Sequence, residues 1–231
     1  MHVPELDNPF WSSLQTRHRA IAIRAGDAAR YPAAFAPFAG VADADVDAID
    51  ALAQLVGPDE TLLLLGVAPR LSAPWLLEAF QPLAQMIRTA PIAMIDGPPI
   101  IELTESHRAD VLALTALVYP HYFRERTMEL GRYFGMYMQD KNGDVRLAAM
   151  IGERLGTDTH TEMSAICTHP DFNGRGYARR LTAFLTNATL ERGRTPFLHV
   201  SRENARALRI YERMGYTLRR DIGCGALRRA A

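Results

Sequence analysis

The chain has 231 residues, 48% of them hydrophobic and 23% charged, which predicts one large or two modest globular domains and excludes a disordered chain. It contains no run of 18 apolar residues and no basic region followed by an apolar one, so we expect neither a membrane span nor a secretory signal. Cys167 and Cys224 are too few for a disulfide framework or a structural zinc site, and we expect no metal. The abundance of Arg and Ala is typical of a GC-rich genome, and we expect a cytoplasmic protein of bacterial origin.

The formal net charge of zero hides an asymmetry along the chain. Residues 1–99 carry 6 Arg and 11 acidic residues, whereas residues 100–231 carry 20 Lys or Arg and 15 acidic residues. Within residues 170–231, 13 basic residues face 5 acidic ones. This excess of positive charge predicts that the C-terminal part contacts an anion.

Residues 96–99, Asp-Gly-Pro-Pro, predict a boundary, because Gly followed by two prolines continues neither a helix nor a central strand. We therefore predict a smaller N-terminal α/β domain over 1–98 and a second domain over 99–231. No cluster of polar residues in the first part indicates chemistry, and His18 and the aromatic residues are expected to pack. The elements predicted before the boundary are a helix at 43–56 capped by Asp43 or Asp45, a strand at 61–67, helices at 75–80 and 83–87, and a strand at 92–95.

The part after the boundary has a denser pattern of strands and helices. Asn-Gly at 142–143 is typical of a hairpin turn, and Gly215 of a helix end. The predicted elements are a strand at 100–103, a helix from Thr104 or Ser106 to about Val118, a loop or short helix at 120–130, strands at 133–138, 145–151 and 162–168, a helix at 174–191, a strand at 197–201, a helix at 205–214, and strands at 216–218 and 224–228 that complete the sheet.

A glycine-containing turn joins the strand that ends at Thr168 to the next helix. Gly174 and Gly176 open this helix, so backbone N–H groups left unpaired at its first turn would point the same way and suit a pyrophosphate. Neighbouring arginines add positive charge. An ordinary glycine turn before a helix explains the glycines equally well. The spacing excludes an NTPase phosphate-binding loop, and it does not fit Gly-x-Gly-x-x-Gly.

Two motifs together resemble a known family. The run Asn173-Gly-Arg-Gly-Tyr-Ala178, after a strand and a His-Pro-Asp turn, resembles the acyl-CoA-binding motif of the GNAT superfamily of N-acetyltransferases. About 30 residues later, Asn204, Ala207, Leu208, Tyr211 and Gly215 resemble the family's Asn-x-x-Ala-x-x-Leu-Tyr-x-x-x-Gly-Phe signature. The resemblance covers residues 100–229 and is strongest to the FR47-like branch. It implies an α/β (α+β) fold with a mixed central sheet, splayed parallel strands and flanking helices.

The resemblance also implies the residues that would hold acetyl-CoA. The pantetheine arm would pair with the strand before the turn, the pyrophosphate would lie on the amides of the turn, and the next helix would contact the arm. Asn173 departs from the usual Arg or Gln at its position. The implied cofactor-binding residues are Ile166, Cys167, Thr168, Asn173, Gly174, Arg175, Gly176, Tyr177, Ala178, Arg179, Asn204, Ala207 and Tyr211.

Three side chains are candidates for proton transfer under this resemblance. Tyr211 matches the tyrosine that lies near the CoA sulfur, where a phenol can protonate the departing thiolate. Glu162, which we favour slightly, and His199 compete as the base that takes the amine proton. The weaker candidates, and residues with a structural explanation, are Glu153, His160 and His121 as bases, His169 in a turn, Asn204 as a helix cap and Cys167 as a small core residue.

The resemblance predicts an N-acyltransferase that moves acetyl from acetyl-CoA to a primary amine by direct attack in a ternary complex. The alternative is a non-catalytic CoA-binding sensor or interaction module, whose N-terminal part could be a degenerate sister of the catalytic domain or the surface of a homodimer. We expect neither a nucleic-acid nor a membrane partner, because the arginines concentrate near the predicted cofactor helix. The acceptor is open; its pocket is expected in residues 119–134, where Tyr119, His121, Tyr122, Phe123 and Arg124 cluster.

Overall fold

The structure, a computed structural model, describes residues 4–45, 48–119 and 122–230. Short 3-10 helices cover Glu105–His107, Thr127–Leu130 and Pro170–Phe172. No helix within those described ranges is long and apolar enough to cross a membrane. In chain order the other elements are α1 (Pro4–Asp7), α2 (Pro9–Gln15), β1 (Ile23–Ala25), β2 (Ala28–Arg30), β3 (Ala39–Val41), α3 (Ile49–Leu55), β4 (Leu62–Leu65), β5 (Trp75–Ala79), β6 (Leu83–Ile87), β7 (Ile101–Leu103), α4 (Arg108–Val118), β8 (Tyr133–Gln139), β9 (Val145–Gly156), β10 (His160–Thr168), α5 (Tyr177–Leu190), β11 (Thr195–Ser201), α6 (Ala205–Arg213), β12 (Thr217–Ile222) and β13 (Cys224–Arg229).

A seven-stranded sheet in the order β12-β6-β11-β10-β9-β8-β7 forms the centre of the molecule. All neighbours are antiparallel except β10 and β11, which are parallel. The predicted turn between β8 and β9 is present: the carboxylate of Asp140 accepts from the N–H groups of Asn142 and Asp144, and Gly143 has φ +90°. The predicted α/β class with a mixed central sheet is confirmed.

The two faces of this sheet pack against different parts of the chain. Leu198 and Val200 pack with residues of α5 and α6, and we call this side the cofactor face. Phe197, which precedes Leu198 and therefore points to the opposite side, packs with residues of α1 and α2. We call this second side the N-terminal face. The loop residue Phe38 packs there as well.

The prediction of a helix at residues 83–87 is wrong, because this segment is β6, an interior strand of the main sheet. It pairs along one edge with β11 and along the other with β12. A run of five residues that is buried almost throughout has no periodicity that separates a helix from a strand. The strands that pair with this segment on both sides, β11 and β12, decide that it is a strand, and they lie more than 100 residues later in the chain.

Three further predictions in the N-terminal part are wrong. Residues 75–79 form β5, not a helix, and pair with β13. The last two strands therefore do not complete one sheet as predicted: β12 ends the main sheet, and β13 belongs to a separate three-stranded sheet with β4 and β5. Helix α3 begins at Ile49, several residues after the predicted caps, and part of the predicted first turn lies outside the described residues. Residues 92–95 are not a strand; Ile92 instead exchanges two backbone hydrogen bonds with the Asn187 side chain on α5.

The main sheet and the sheet of β4, β13 and β5 both combine strands from before and after residues 96–99. Strand β6 separates β11 from β12, and β13 lies between β4 and β5. The predicted boundary at 98/99 is therefore not a boundary of either sheet. The division into two domains stays a prediction.

Candidate active site

The two parallel strands of the main sheet separate after three residue pairs. The register of β10 and β11 runs from His160 and Thr195 to Glu162 and Phe197, and no further pair joins them. Beyond this point a cavity of about 750 Å³ opens between the strands, a size typical of small-molecule sites. We call the gap the splay. The splayed parallel strands that the sequence predicts are thus present.

A β-bulge shapes the β10 side of the splay. The register with β9 shifts between Ser164 and Cys167, and Ala165 lies there in the left-handed region with φ 50°. Met163 and Ile166 consequently both pack toward the cofactor face, although they are three residues apart. Non-glycine residues adopt this conformation rarely, and bulges of this kind concentrate at functional sites.

Of the three residues predicted on β10 for the pantetheine arm, Ile166 and Cys167 line the cavity. Thr168 lies at the end of β10 and pairs with Ala149. Cys167 is buried, and burial raises the pKa of its thiol to about 12. A thiol that stays protonated at neutral pH is a poor nucleophile, which agrees with a packing role for Cys167.

The glycine turn keeps open space in front of α5. Gly174 and Gly176 both have φ +80°, and a Cβ at either position would meet no atom within 4 Å. Helix α5 begins at Tyr177, and its first backbone hydrogen bond runs from Arg180 N–H to the Gly176 carbonyl over 3.0 Å. The N–H groups of residues 177–179 therefore precede the first intrahelical bond and can bind an anion.

The side chains around this turn divide between the solvent and the core. Asn173, Arg175 and Arg179 are exposed, whereas the Tyr177 ring is buried, so Tyr177 offers only its backbone to a ligand. The Arg175 guanidinium lies 5.0 Å from the Phe172 ring centre. Ala178 is partly buried. The approach to the turn is thus bordered by exposed side chains and by the small Ala178.

Arg180 is directed away from this turn. Its guanidinium donates to the backbone carbonyls of Ile95 and Pro98 and thereby holds the segment before β7 against α5. Its charge is used for structure, whereas Arg175 and Arg179 remain near the open turn.

Helix α6 brings three predicted residues to the cavity. Asn204, Ala207 and Tyr211 all line it. Asn204 is also the helix cap, because its Oδ1 accepts from the Ala207 N–H over 3.0 Å. That bond uses only the carbonyl oxygen of the side chain. The amide group of Asn204 is thus held at the cavity by the cap itself.

Tyr211 lies on the cofactor face with its ring packed against the core. Its ring centre is 6.0 Å from that of Tyr216, and burial raises the pKa of the Tyr211 phenol to about 12. The phenol is therefore protonated at neutral pH and able to donate. The pKa of the CoA thiol is close to that of an ordinary thiol, about 8.5, and therefore lies below that of the Tyr211 phenol. The phenol would thus first donate a hydrogen bond to the thiolate and only afterwards transfer its proton.

The two competing base candidates form one hydrogen-bonded pair. His199 Nδ1 lies 2.7 Å from Glu162 Oε1, and both side chains line the cavity while being almost completely buried. The His199 ring is 5.6 Å from Phe197, on the N-terminal face, opposite Tyr211. A base and an acid candidate thus lie on opposite sides of the splay.

Arg154 completes this pair from β9. Its guanidinium donates to both Glu162 oxygens, over 2.9 and 2.7 Å. Burial raises the pKa of Glu162, but the charge and hydrogen bonds of Arg154 and the hydrogen bond of His199 together outweigh it and lower the pKa to about 2. Glu162 is therefore a carboxylate at any physiological pH. Because its pKa is low, it is better suited to accept a hydrogen bond from His199 Nδ1–H than to take a proton from an amine.

Gln85, on strand β6, lies at the other ring nitrogen of His199. Its Nε2 lies 2.9 Å from His199 Nε2 and donates to the Leu6 carbonyl over 2.9 Å, while its Oε1 accepts from Arg219. These partners orient the amide so that Gln85 donates to His199 Nε2. His199 is then the neutral tautomer with its proton on Nδ1.

The weaker candidates have other partners. Glu153 is buried between Arg17 and Arg132, each 2.6 Å away, and His160 bonds Glu5. His169 accepts from the Asp171 N–H in the turn after β10, in agreement with the prediction. His121 lies outside the described residues. None of the described three lines the cavity.

The predicted acceptor region, residues 119–134, contributes only part of the cavity wall. Tyr119 and Tyr122 line it, whereas Phe123 packs on Tyr133 and the Arg124 side chain is exposed. The N-terminal part contributes many more lining residues than the sequence suggested. They are Phe10, Phe38, Leu63, Leu64, Leu65, Phe80, Gln81 and Leu83.

Sequence reasoning missed Arg154, Gln85 and this N-terminal wall. The only available signal was that Arg154 and Gln85 are polar residues inside otherwise apolar segments. A polar side chain that is buried in such a segment requires hydrogen-bond partners. Their partners are 8 and 114 residues away, so the sequence alone did not identify them.

Known proteins resemble this chain over its whole length. A family model for FR47-like proteins matches residues 135–222. A structure from Novosphingobium aromaticivorans, assigned to the GNAT family of acetyltransferases, is 31% identical, with a TM-score of 0.86 over 99% of this chain and 100% of the other. No curated protein matches the sequence.

More distant structures share the fold. A GCN5-related N-acetyltransferase from Kribbella flavida matches with a TM-score of 0.63 at 15% identity, over 94% of this chain and 92% of its own. A GCN5-related N-acetyltransferase-like protein from Streptococcus suis matches with a TM-score of 0.56 at 14% identity, over 98% and 93% of the two chains. At these identities the likeness concerns the fold alone.

These likenesses decide between the two predicted functions. The family model and the structure at 31% identity confirm an acyl-CoA-dependent N-acetyltransferase, and they give no support to a non-catalytic CoA-binding module. The end-to-end match at 31% identity agrees with the glycine turn and the splay described above. The chain belongs to the GNAT family of N-acetyltransferases.

Proposed function

We propose that this protein transfers an acetyl group from acetyl-CoA to a small primary amine by direct attack in a ternary complex. One observation carries the proposal: the cavity at the splay has Tyr211 on the cofactor face and the Glu162–His199 pair on the N-terminal face. An amine and a thioester that meet in the splay would each have a proton-transfer group on its own side.

The residues of the turn and of α6 fit acetyl-CoA as co-substrate. The open space at Gly174 and Gly176 and the N–H groups of residues 177–179 suit a pyrophosphate. The exposed Arg175 and Arg179 add charge. Ile166 and Cys167 present the unpaired edge of β10 to the pantetheine arm, and Asn204 offers its amide.

The acyl transfer makes one bond and breaks one. The amine nitrogen bonds to the acetyl carbonyl carbon, the carbon–sulfur bond breaks, and the amine loses one proton while the thiolate gains one. Backbone N–H groups at the end of β10 would polarise the carbonyl. Tyr211 supplies the hydrogen bond, and finally the proton, to the sulfur.

His199 is the better proton acceptor of the pair, with Glu162 as the carboxylate that orients it. Glu162 is held ionised by Arg154 and bonds the Nδ1 proton, so an imidazolium at His199 would be stabilised. His199 Nε2 must exchange the Gln85 amide for the amine, or for a water molecule that bridges His199 to the amine. This revises the slight preference for Glu162 that the sequence suggested.

A glycine substitution tests acetyl-CoA binding. Gly176→Trp puts a large side chain into the open space at the turn, and we expect calorimetry to show an affinity for acetyl-CoA at least tenfold below that of the unchanged protein. Gly193→Trp is the matched control, because Gly193 also has positive φ and open space but lies after the other end of α5. Equal affinities in the two variants would contradict the proposed site.

Three features of the proposal concern the setting of the protein. A cytoplasmic location agrees with Cys167 and Cys224, which are both free thiols. A homodimer, and the absence of a nucleic-acid partner, also belong to the proposal. Light scattering of the purified protein measures whether it is a dimer. Its retention on immobilised DNA at low salt measures whether it binds nucleic acid.

A further inference from the structure

The part of the cavity on the N-terminal face has walls of its own, and we call it the acceptor chamber. It lies on the side of the sheet opposite α5 and α6, so it is separate from the surface that would hold CoA. The six residues that characterise it are Phe10, Phe38, Leu63, Leu65, Phe80 and Tyr122.

Aromatic rings fixed in the core form one wall of this chamber. Phe10 and Phe38 are stacked, with ring centres 4.3 Å apart and planes 10° from parallel, and both are buried. The Arg154 guanidinium covers the Phe38 ring at 5.2 Å. Stacked and covered rings have few rotamers available, so the wall offers a preformed apolar surface.

The described walls of the chamber offer no carboxylate to a second ammonium group. Among the described lining residues the only acids are Glu162 and Glu203. Both oxygens of Glu162 already accept hydrogen bonds from Arg154 and His199. Glu203 is exposed beside Asn204, at the start of α6 and outside the chamber. A polyamine would therefore lose the hydration of its second charge without gaining a partner.

These walls also favour the reactive form of an amine. Removal from water disfavours the charged form of an amino group, and only the neutral amine can attack the acetyl carbon. An apolar body on the amine would gain the free energy of burial against the aromatic wall.

We propose that the acceptor is a small primary amine whose single amino group is carried by an aromatic or branched apolar body, which the acceptor chamber binds. This inference rests on the proposed function and names its substrate class. The aromatic wall binds the body of the amine, and the Glu162–His199 pair faces its amino group.

The experiment compares matched amines with acetyl-CoA by following thiol release. Butylamine and 1,4-diaminobutane differ by a second charge, 2-phenylethylamine adds the ring, and phenylalanine adds a carboxylate to that ring. We expect kcat/KM to be highest for 2-phenylethylamine and about 100-fold lower for 1,4-diaminobutane. A preference for 1,4-diaminobutane, or for phenylalanine over 2-phenylethylamine, would overturn the proposed class.

A variant pair ties the preference to the chamber. Phe80 is 40% exposed and lines the cavity, so Phe80→Ser should fold normally and raise the KM for 2-phenylethylamine about fivefold to tenfold, with the KM for acetyl-CoA unchanged. Leu76→Ser is the control, because Leu76 is 44% exposed on the neighbouring β5 and does not line the cavity. Equal KM values in both variants would contradict a role for this wall.

Two further measurements separate the ways in which the inference can fail. If octanoyl-CoA with butylamine is a better pair than acetyl-CoA with 2-phenylethylamine, the chamber binds the acyl chain and the inference is wrong. If acetyl-CoA binds in calorimetry but 2-phenylethylamine neither reacts nor binds to the CoA-loaded protein, the inference is again wrong while the proposed cofactor site stands. Absence of acetyl-CoA binding contradicts the proposed function itself.

Discussion

Tyr211 and His199 line the same cavity from opposite faces of the main sheet, but their surroundings prepare them for different roles. Burial raises the pKa of the Tyr211 phenol to about 12, so this side chain enters the reaction as a donor. His199 is neutral in the tautomer set by Glu162 and Gln85, with its only lone pair at Nε2. The splay thus has one proton donor, Tyr211, on the cofactor face and one proton acceptor, His199, on the N-terminal face.

Removal of the Tyr211 hydroxyl tests its role as the donor. We expect Tyr211→Phe to lower kcat about 100-fold, the lower end of the contribution of a general acid, with the KM for acetyl-CoA within a factor of two or three. Tyr216→Phe is the control, because it removes a buried hydroxyl that bonds Thr186 and belongs to a ring 6.0 Å from Tyr211. It should lower the melting temperature and leave kcat nearly unchanged. Equal kcat losses in the two variants would remove Tyr211 from the mechanism.

A carboxylate at position 85 tests His199 as the acceptor of the amine proton. In Gln85→Glu the new carboxylate would face both Arg219 and His199 Nε2 and would stabilise an imidazolium at His199. A base whose protonated form is stabilised loses its proton only at higher pH, so the acidic limb of kcat/KM should move upward by about 1 pH unit or more.

Gln81→Glu is the matched control for this experiment. Gln81 lines the same cavity but does not bond His199, so the acidic limb should stay near that of the unchanged protein. An acidic limb that is the same in all three proteins would show that His199 does not take the proton. The position of the limb is independent of a moderate loss of stability, which would affect all pH values alike.

At the scale of elements, helix α6 combines capping and the proposed cofactor contact in one residue. Asn204 caps the helix through its oxygen and holds its amide at the cavity. Ser also caps helices well but has no amide. The two roles can therefore be separated by substitution.

We expect Asn204→Ser to keep the free energy of unfolding within about 0.5 kcal/mol and to raise the KM for acetyl-CoA several-fold. Asn204→Ala should raise the KM for acetyl-CoA in the same way and also lower the free energy of unfolding by about 1 kcal/mol. Denaturant unfolding and steady-state kinetics on the three proteins measure the two effects. An unchanged KM in Asn204→Ser would leave this residue a cap alone.

Strand β10 shows how one element serves both packing and chemistry. Its first three residues pair with β11, and the bulge at Ala165 then redirects the side chains around the splay. The run of apolar residues predicts the strand correctly. The bulge is not predictable from it, because Ala has no special preference for positive φ; it depends on tertiary contacts such as the neighbouring strand β9, which remains paired on either side of Ala165.

At the scale of the whole molecule, the N-terminal part is a component of the candidate active site. It supplies β6 to the centre of the main sheet, Gln85 to His199, and the wall of the acceptor chamber. Without the N-terminal part, which also contains β4 and β5, strand β12 has no neighbour, β11 has a free edge and β13 loses both partners.

We therefore expect residues 99–231 alone to lack cooperative thermal unfolding and acetyl-CoA binding. Co-expression of 1–98 with 99–231 should restore both, because the cut falls in an irregular segment outside the sheets. Circular dichroism melting and calorimetry measure the outcome. An isolated 99–231 fragment that melts cooperatively and binds acetyl-CoA would instead support the two-domain prediction.

The C-terminal part of the sequence determined most of what could be recognised. The hairpin turn at Asn142-Gly143, the helices that begin after glycine or Asn204 and the strands around them follow from local chemistry, since turn and cap preferences act within a few residues. The two motifs, at 173–178 and 204–215, indicated the family, and the charge excess after residue 170 agrees with an anionic co-substrate.

Only the tertiary structure decided which residues meet in the splay. The pairing of Glu162 with Arg154 and His199, the role of Gln85, the strand character of residues 75–79 and 83–87, and the aromatic wall of the chamber all depend on contacts between distant segments. Short apolar segments satisfy both helical and strand patterns, and a buried polar residue reveals that it needs a partner but not which one. The physical reason is the same in each case: the neighbour that decides the conformation or the charge state lies far away in the sequence.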